Sequence, residues 1–216
     1  LRTDRTAKPS FSNKGDGDVG FDAKYGLTKS LTLDLTYNTD FAQVEDDIQQ
    51  VNLTRFNLFF PERRDFFLEG QGIFGFGGVG ASFFGGGNNN TPVLFFSRRI
   101  GLNNGRPVPI VGGGRITGKV GAYSIGALNI RSDEDTAAAA RPTNFSVLRL
   151  KRDLFRRSNI GALYTRRAET SGGADPGETF GVDALYSASR SLNVTTYVAR
   201  TRRPGVAFRP LWTRRA

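Results

Sequence analysis

VGFDAKYGLTKSLTLDLTYN, residues 19–38, sets how the rest of the chain is read. Val19, Phe21, Ala23, Tyr25 and Leu27 alternate with Gly20, Asp22, Lys24 and Gly26. Thr28-Lys29-Ser30 is a short polar turn, after which Leu31, Leu33, Leu35 and Tyr37 alternate with Thr32, Asp34, Thr36 and Asn38. A period of two on both sides of a turn predicts a β-hairpin with one apolar and one polar face. Each arm is about nine residues, close to the length of a membrane-spanning strand. A half-buried soluble sheet gives the same alternation.

Working outward, the pattern repeats. Ile110–Val120 and Tyr123–Arg131 form a second hairpin around Gly121, with Arg115, Thr117 and Lys119 on one face and Ile116 and Val120 on the other. Phe145–Arg152 sets Leu148 and Leu150 opposite Arg149 and Lys151. Ile160, Ala162 and Tyr164 lead a further strand. Phe180, Val182, Ala184 and Tyr186 alternate with Gly181, Asp183 and Leu185, and Leu192, Val194, Thr196 and Val198 come after a tight turn. Val93–Ile100 reads as a short strand, and Gly70–Pro92, rich in Gly, Phe and Asn, as a long mobile loop. Short connections (Thr28–Ser30, Gly121, Asp153–Ser158, Ser189–Ser191) alternate with long polar ones (Ser132–Pro142, Thr170–Glu178). Short turns at one end and long loops at the other are the layout of an outer-membrane up-and-down barrel.

Composition narrows the chemistry. The 216 residues carry a net charge of +10, with 18 Phe and 27 Gly but no Cys, Met or His. Without Cys there are no disulfides or thiolate sites. Without His the commonest general base and transition-metal ligand are missing. Oxygen-ligated cations and carboxylate chemistry remain. No run approaches the roughly 18 apolar residues of a spanning helix. The chain starts at Leu1 and ends Leu-Trp-Thr-Arg-Arg-Ala, which gives the expectation of a fragment.

Two glycine motifs are set aside. Gly75–Gly80 matches GxGxxG, but the fingerprint needs a helix after it, and Ala81-Ser-Phe-Phe-Gly-Gly-Gly-Asn88 does not read as one. Gly113–Lys119 approaches a phosphate loop, but Val120 stands where Ser or Thr would hold Mg²⁺. No cofactor is expected. The arginines are scattered and no nucleic-acid motif appears.

The stretch that breaks the strand rhythm is Phe41–Gly70, FAQVEDDIQQVNLTRFNLFFPERRDFFLEG. Its acidic residues are open to three readings: an ion-pair network with nearby arginines, a Ca²⁺ site, or a carboxylate-dependent glycan hydrolase using Glu62 and Glu69. The network reading comprises Glu45, Asp46, Arg55, Glu62, Arg63, Arg64, Glu69, Arg98 and Arg99. It fastens an inserted segment near 51–70 to the inner wall of a barrel, with Phe59, Phe60, Phe66 and Phe67 as its aromatic anchor. Pro61 suits a sharp bend or the first turn of a short helix.

Phe59-Phe-Pro-Glu-Arg-Arg-Asp-Phe-Phe-Leu-Glu-Gly is similar to the FFPEKRPFFLEG signature of a bacterial outer-membrane barrel family, the domain of unknown function 5916. Val19–Thr28, Leu31–Glu45, Ser97–Gly101 and Arg115–Gly121 are similar to its other motifs, so the resemblance runs from about Val19 to Thr201. Asp65 stands where the family has Pro, and Asn38-Thr-Asp40 where it often has Asn-Pro-Asp. The resemblance implies a signal peptide and a module like family 9 carbohydrate-binding domains upstream of the barrel.

The expectation is therefore an all-β protein: part of an antiparallel transmembrane barrel at residues 19–201, of about eight to ten strands, with ends at 1–18 and 202–216. Its place would be the bacterial outer membrane. Its partners would be outer-membrane lipid, lipopolysaccharide, the barrel-assembly machinery and glycans held by an upstream module. Its role would be glycan-associated binding or passive transport. A soluble β-sandwich binding module is the other non-enzymatic reading.

Overall fold

The computed structural model of the protein describes residues 2–4, 12–14, 19–38, 62–78, 92–103, 106–155, 157–171, 176–189 and 192–203. The strands are β1 (Arg2–Asp4), β2 (Ser12–Lys14), β3 (Phe21–Thr28), β4 (Leu31–Tyr37), β5 (Leu102–Asn103), β6 (Arg106–Pro107), β7 (Ile110–Val120), β8 (Tyr123–Ser132), β9 (Thr143–Leu154), β10 (Ser158–Glu169), β11 (Gly177–Ser187) and β12 (Asn193–Arg202). The single-turn helix α1 (Asp65–Leu68) and two 3-10 turns, Gln71–Phe74 and Ser97–Arg99, lie between β4 and β5.

Eight strands form one antiparallel sheet in the order β12-β11-β10-β9-β8-β7-β4-β3. Apart from the β4–β7 step, every neighbour in the sheet is also a neighbour in the chain. The sheet is thus an up-and-down meander with a large insertion between its second and third strands. β1 pairs with β2 and β5 with β6 as separate short ladders. Among the described residues the sheet is open: β3 and β12 are its edges and no ladder joins them. The expected barrel outline is therefore not closed in these residues.

The alternation read in the sequence is inverted relative to a soluble sheet. Asp34, Thr36, Arg115, Thr117, Arg149 and Asp183 are buried, while their apolar strand neighbours Leu35, Leu148, Leu150 and Phe180 are exposed. Asp34 is 6% exposed and Leu35 47%; Arg149 is 2% exposed and Leu148 54%. One face of the sheet is covered and carries the buried charges Asp34, Arg115, Arg149 and Asp183. The other is bare and carries most of the strand leucines, tyrosines and phenylalanines.

What covers the first face is the β4–β7 insertion. Its residues 62–78 and 92–100 lie across the strands. The buried cluster of Phe67, Phe74, Phe76, Ile100, Ile110, Leu128, Ile130, Val147 and Leu163 forms between this strap and the sheet, with Phe66, Leu94, Phe95 and Phe145 packed against it. The strap follows one row of the ladder, in which Thr117, Gly126, Arg149, Leu163 and Gly181 are successive cross-strand partners. Two positions in that row have no side chain because a phenylalanine ring occupies the space. A Cβ on Gly126 would stand 2.9 Å from Phe74, and one on Gly181 2.7 Å from Phe76 and Leu94.

Two expectations are corrected here. Gly70–Gly78, read as the start of a mobile loop, is a packed 3-10 turn followed by buried Phe76; residues 79–91 lie outside those described. Val93–Ile100, read as a strand, pairs with none. It ends in the Ser97–Arg99 turn, because its aromatic side chains pack on the strap rather than along a ladder. The ends also differ in part: β1 and β2 pair within the stretch 1–18 read as loop, and β12 runs on to Arg202.

Gly181→Ala should destabilise the fold by about 1–3 kcal/mol, the usual cost of overpacking a filled site. Gly72→Ala, where a Cβ meets nothing within 4 Å, should stay within about 0.5 kcal/mol. Denaturant unfolding of the two variants compares them directly. Equal stability would mean that Phe76 does not sit on β11 as described.

Candidate functional site

The covered face holds a repeated arrangement. A wall arginine pairs with a wall aspartate and stacks its guanidinium on a strap phenylalanine, and one member of the pair bonds a strap backbone group. On β7, Arg115 donates to Asp34 Oδ2 from Nε at 3.2 Å and Nη2 at 2.6 Å. Asp34 and Arg115 are direct cross-strand partners. The same guanidinium lies 5.1 Å from the Phe66 ring centroid, and its Nη1 donates to the Glu69 carbonyl. On β9, Arg149 makes a two-pronged bond to Asp183 on β11, at 2.5 and 2.9 Å. The Phe76 ring centroid lies 5.8 Å from this guanidinium. The Gly77 N–H donates to Asp183 Oδ2 at 3.1 Å.

β10 lies between β9 and β11, so Arg149 has to pass over it. Gly161 makes that possible: a Cβ there would come within 2.8 Å of Arg149 Nη1. Planar guanidinium geometry suits each pair, since two N–H bonds fix orientation as well as charge, converging on Oδ2 of Asp34 and spread over both oxygens of Asp183. Removing either partner would strand a buried charge.

A third pair lies within the strap itself. Arg64 Nε and Nη2 donate to the two Glu62 oxygens, each at 2.7 Å. Ser97 Oγ donates to Glu62 Oε2 at 2.6 Å. Arg64 Nη1 reaches the Ile100 carbonyl at 2.6 Å and Nη2 the Ser97 carbonyl at 3.0 Å. Its guanidinium lies 4.2 Å from the Phe67 ring centroid. These bonds staple residues 62–67 to 97–100 and close the base of the insertion.

Burial alone would push the Glu62 carboxyl up. The Arg64 bonds and charge, the Ser97 hydroxyl and the Arg64 N–H outweigh burial and hold it below the ordinary range. Glu69 is also held low, first by its hydrogen bond to Lys24, against slight burial and with help from the charges of Lys24 and Arg115. Both carboxylates are therefore ionised at neutral pH. Neither is placed as the protonated acid that glycoside hydrolysis requires.

Of the residues named from the sequence, Glu62 and Arg64 meet in the staple. Phe67 is buried and Phe66 half-buried against it, their rings edge-on at 5.1 Å. Glu69 joins Lys24 and lies 3.8 Å from Arg115. Arg98 is buried, which pulls its pKa down. Arg63 and Arg99 are exposed and stand outside the staple's side-chain bonds. Glu45, Asp46, Arg55, Phe59 and Phe60 lie outside the described residues. Among the described residues no three acidic side chains gather as a cation site would require.

Sequence reading missed the wall half of the network: Lys24, Asp34, Arg149 and Asp183, with Arg115 noted only for its face. The signal was present. Each is a lone charge at mid-strand on the polar face, and the signs of Asp34 and Arg115, and of Arg149 and Asp183, are complementary.

The strap with its FFPE-type run and the β3–β4 hairpin are also what relates this chain to others. Residues 4–108 match the family described as Domain of unknown function (DUF5916). Over just under half of its length the chain is thus similar to DUF5916. No curated protein and no solved structure matches it. The DUF5916 match takes in β3, β4 and the insertion as far as Val108, and so includes Glu62, Arg64, Phe66 and Phe67. It ends before β7, so Arg115, Arg149 and Asp183 lie beyond it. The strap within the match thus docks largely on strands β7–β11, which lie beyond it.

Arg149→Met should cost about 3–5 kcal/mol by leaving Asp183 buried and unpaired, and the pair with Asp183→Leu should recover much of that loss. A strictly additive double-mutant cycle would show that the two side chains do not act as a couple. Acid gives a second check. Because folding lowers the Glu62 pKa, the staple contributes fully at neutral pH and weakens as pH falls through the folded-state value. Hydrogen exchange in residues 62–78 should rise between pH 7 and about pH 3 relative to β8–β10, after correction for intrinsic rates. Unchanged relative protection would remove Glu62 from the fastening.

Proposed function

We propose that the eight-stranded sheet is a section of an outer-membrane β-barrel wall. The bare face meets lipid, the covered face meets the lumen, and the strap narrows that lumen. The role we assign is passive: glycan-associated binding or transport of a solute across the envelope.

The observation that carries this reading is the inverted alternation. In water, burying Arg115, Arg149, Asp34 and Asp183 while exposing Leu148, Leu150, Phe180 and Val198 runs against the main driving force of folding. In a lipid-embedded barrel the same pattern is expected, apolar outward and polar inward with a period of two. The layout agrees. All four short hairpin connections, β3–β4, β7–β8, β9–β10 and β11–β12, lie at one end of the sheet, and the longer ones at the other. No helix among the described residues is long and apolar enough to cross a membrane.

The glycan part draws on the resemblance to barrels that follow a carbohydrate-binding-like module, and belongs to the whole protein. The hydrolase reading has less support, because Glu62 is enclosed by its partners and Glu69 is tied to Lys24.

Expressed with an outer-membrane leader, the chain should fractionate with outer membranes and need detergent for extraction. A monodisperse detergent-free monomer would overturn the proposal. Leu150→Arg should cost about 2–4 kcal/mol of folding stability in lipid if it faces the bilayer interior. It should cost little if the bare face is wet.

A further inference from the structure

We infer that the loop end of the bare face is a docking surface for a phosphorylated, sugar-headed lipid of the outer leaflet; this rests on the barrel reading above. Register places the relevant side chains. Asn129, Ser146, Arg166, Glu178 and Arg202 are successive cross-strand partners from β8 to β12. They share the bare face with Leu148, Tyr164 and Phe180. One row nearer the loops, Arg131 stands opposite Asn144. Arg200 stands opposite Phe180 in the row below.

Three features point to the ligand. The first is polar chemistry where apolar side chains are expected. Asn129 donates to Asn144 Oδ1 at 3.0 Å and Ser146 Oγ at 2.8 Å, and Asn144 donates back to Asn129 Oδ1 at 3.2 Å. An amide and hydroxyl ladder facing outward is costly in hydrocarbon, so this row has to sit at head-group level. The belt above the turns is short enough to allow it. On β9, Ser146 and Arg152 bracket only Leu148 and Leu150, about 20 Å along the strand.

The second feature is charge. Arg131, Arg166, Arg200 and Arg202 occupy this end of the bare face with Glu178 as the acid among them, 3.9 Å from Arg166 and accepting from Tyr164 Oη at 2.9 Å. Long loops mark the extracellular end of a bacterial barrel, so the excess faces the outer leaflet.

The third is amphipathic continuity. Guanidinium groups about two strand spacings apart, roughly 10 Å, suit phosphate monoesters. The Asn129–Asn144–Ser146 ladder suits sugar hydroxyls. Leu148, Tyr164 and Phe180, directly below, suit acyl chains. A peptide or a simple phospholipid would use only part of this surface.

The test uses the full chain and vesicles of phosphatidylcholine alone, with bisphosphorylated lipid A, with dephosphorylated lipid A, or with phosphatidylglycerol. A basic residue near an anionic surface strengthens partitioning about fivefold. The wild-type chain should therefore prefer bisphosphorylated lipid A at least tenfold over its dephosphorylated form, and also over phosphatidylglycerol. Arg131→Ala/Arg166→Ala/Arg202→Ala should lose that preference while still inserting into phosphatidylcholine. The turn-end control Lys29→Ala/Arg152→Ala/Arg157→Ala should keep it. Insertion into every vesicle with no preference would overturn this inference and leave the barrel reading standing. Equal preference for phosphatidylglycerol, or equal loss in the control, would also overturn it. Failure to insert even into phosphatidylcholine would overturn both. The dephosphorylated-lipid comparison needs no variant and decides the matter should the triple substitution fail to fold.

Discussion

The Arg149–Asp183 couple sets the terms for the rest of the molecule. Two opposite charges reach across an intervening strand and lie buried on a sheet face. That arrangement is tolerable only when their remaining hydrogen-bonding capacity is met and water is kept off. The strap supplies part of this, with the Gly77 N–H on the carboxylate and the Phe76 ring against the guanidinium, while Arg149 Nε is buried without a hydrogen-bond partner among the described residues. Arg115 and Asp34 repeat the solution with the Glu69 carbonyl and Phe66. Sheet and strap are therefore one cooperative unit. Neither could lose the other without exposing an uncompensated charge to an apolar surround.

The same constraint explains where the core lies. A soluble sandwich buries the apolar faces of two sheets against each other. Here the apolar face of the eight-stranded sheet is bare, and the buried hydrophobic cluster is a thin layer of strap phenylalanines and inward Leu, Ile and Val. Such side chains contribute about 1.5–3 kcal/mol each when fully buried. A layer this thin leaves most of the sheet's apolar area unused. In the barrel reading, lipid covers that area, and the closed ladder removes the two open edges.

Strands were legible because a period of two is local. Every residue needed to see it in β3, β4, β9 or β11 sits within the strand itself. Turn and loop lengths were legible for the same reason. Three things were not. The strap from Gly70 to Gly78 had the composition of a low-complexity loop, because what orders it is the absence of a side chain at Gly126 and Gly181, about fifty and one hundred residues away. Val93–Ile100 had strand composition, but its partner is a helix-and-turn segment rather than a ladder. The wall charges Asp34, Arg149 and Asp183 were visible one by one as polar-face residues. Their pairing depends on register: Arg149 and Asp183 meet only because β9 and β11 flank β10 and Gly161 leaves the path open. The acidic and Arg-rich run before Gly70 drew attention instead, because opposite charges stand close together within it. For Glu62 and Arg64 those near neighbours are the partners; for Glu69 the partners come from β3 and β7.

Pairing also limits what the covered face does electrostatically. Arg64, Arg115 and Arg149 each face a carboxylate at 2.7 Å or less, so the level at which the strap crosses the sheet carries little net field. A filter built from charge would need an unbalanced ring instead. The +10 excess of the chain therefore does not come from these three pairs. In the barrel reading, selection at that level would rest on shape, set by phenylalanine rings seated on side-chain-free positions. The outward arginines at the loop end, with Glu178 the acid among them, leave the excess facing the surroundings of the sheet rather than its covered side. Such a division suits a wall whose inner charges hold structure and whose outer charges meet a polar boundary.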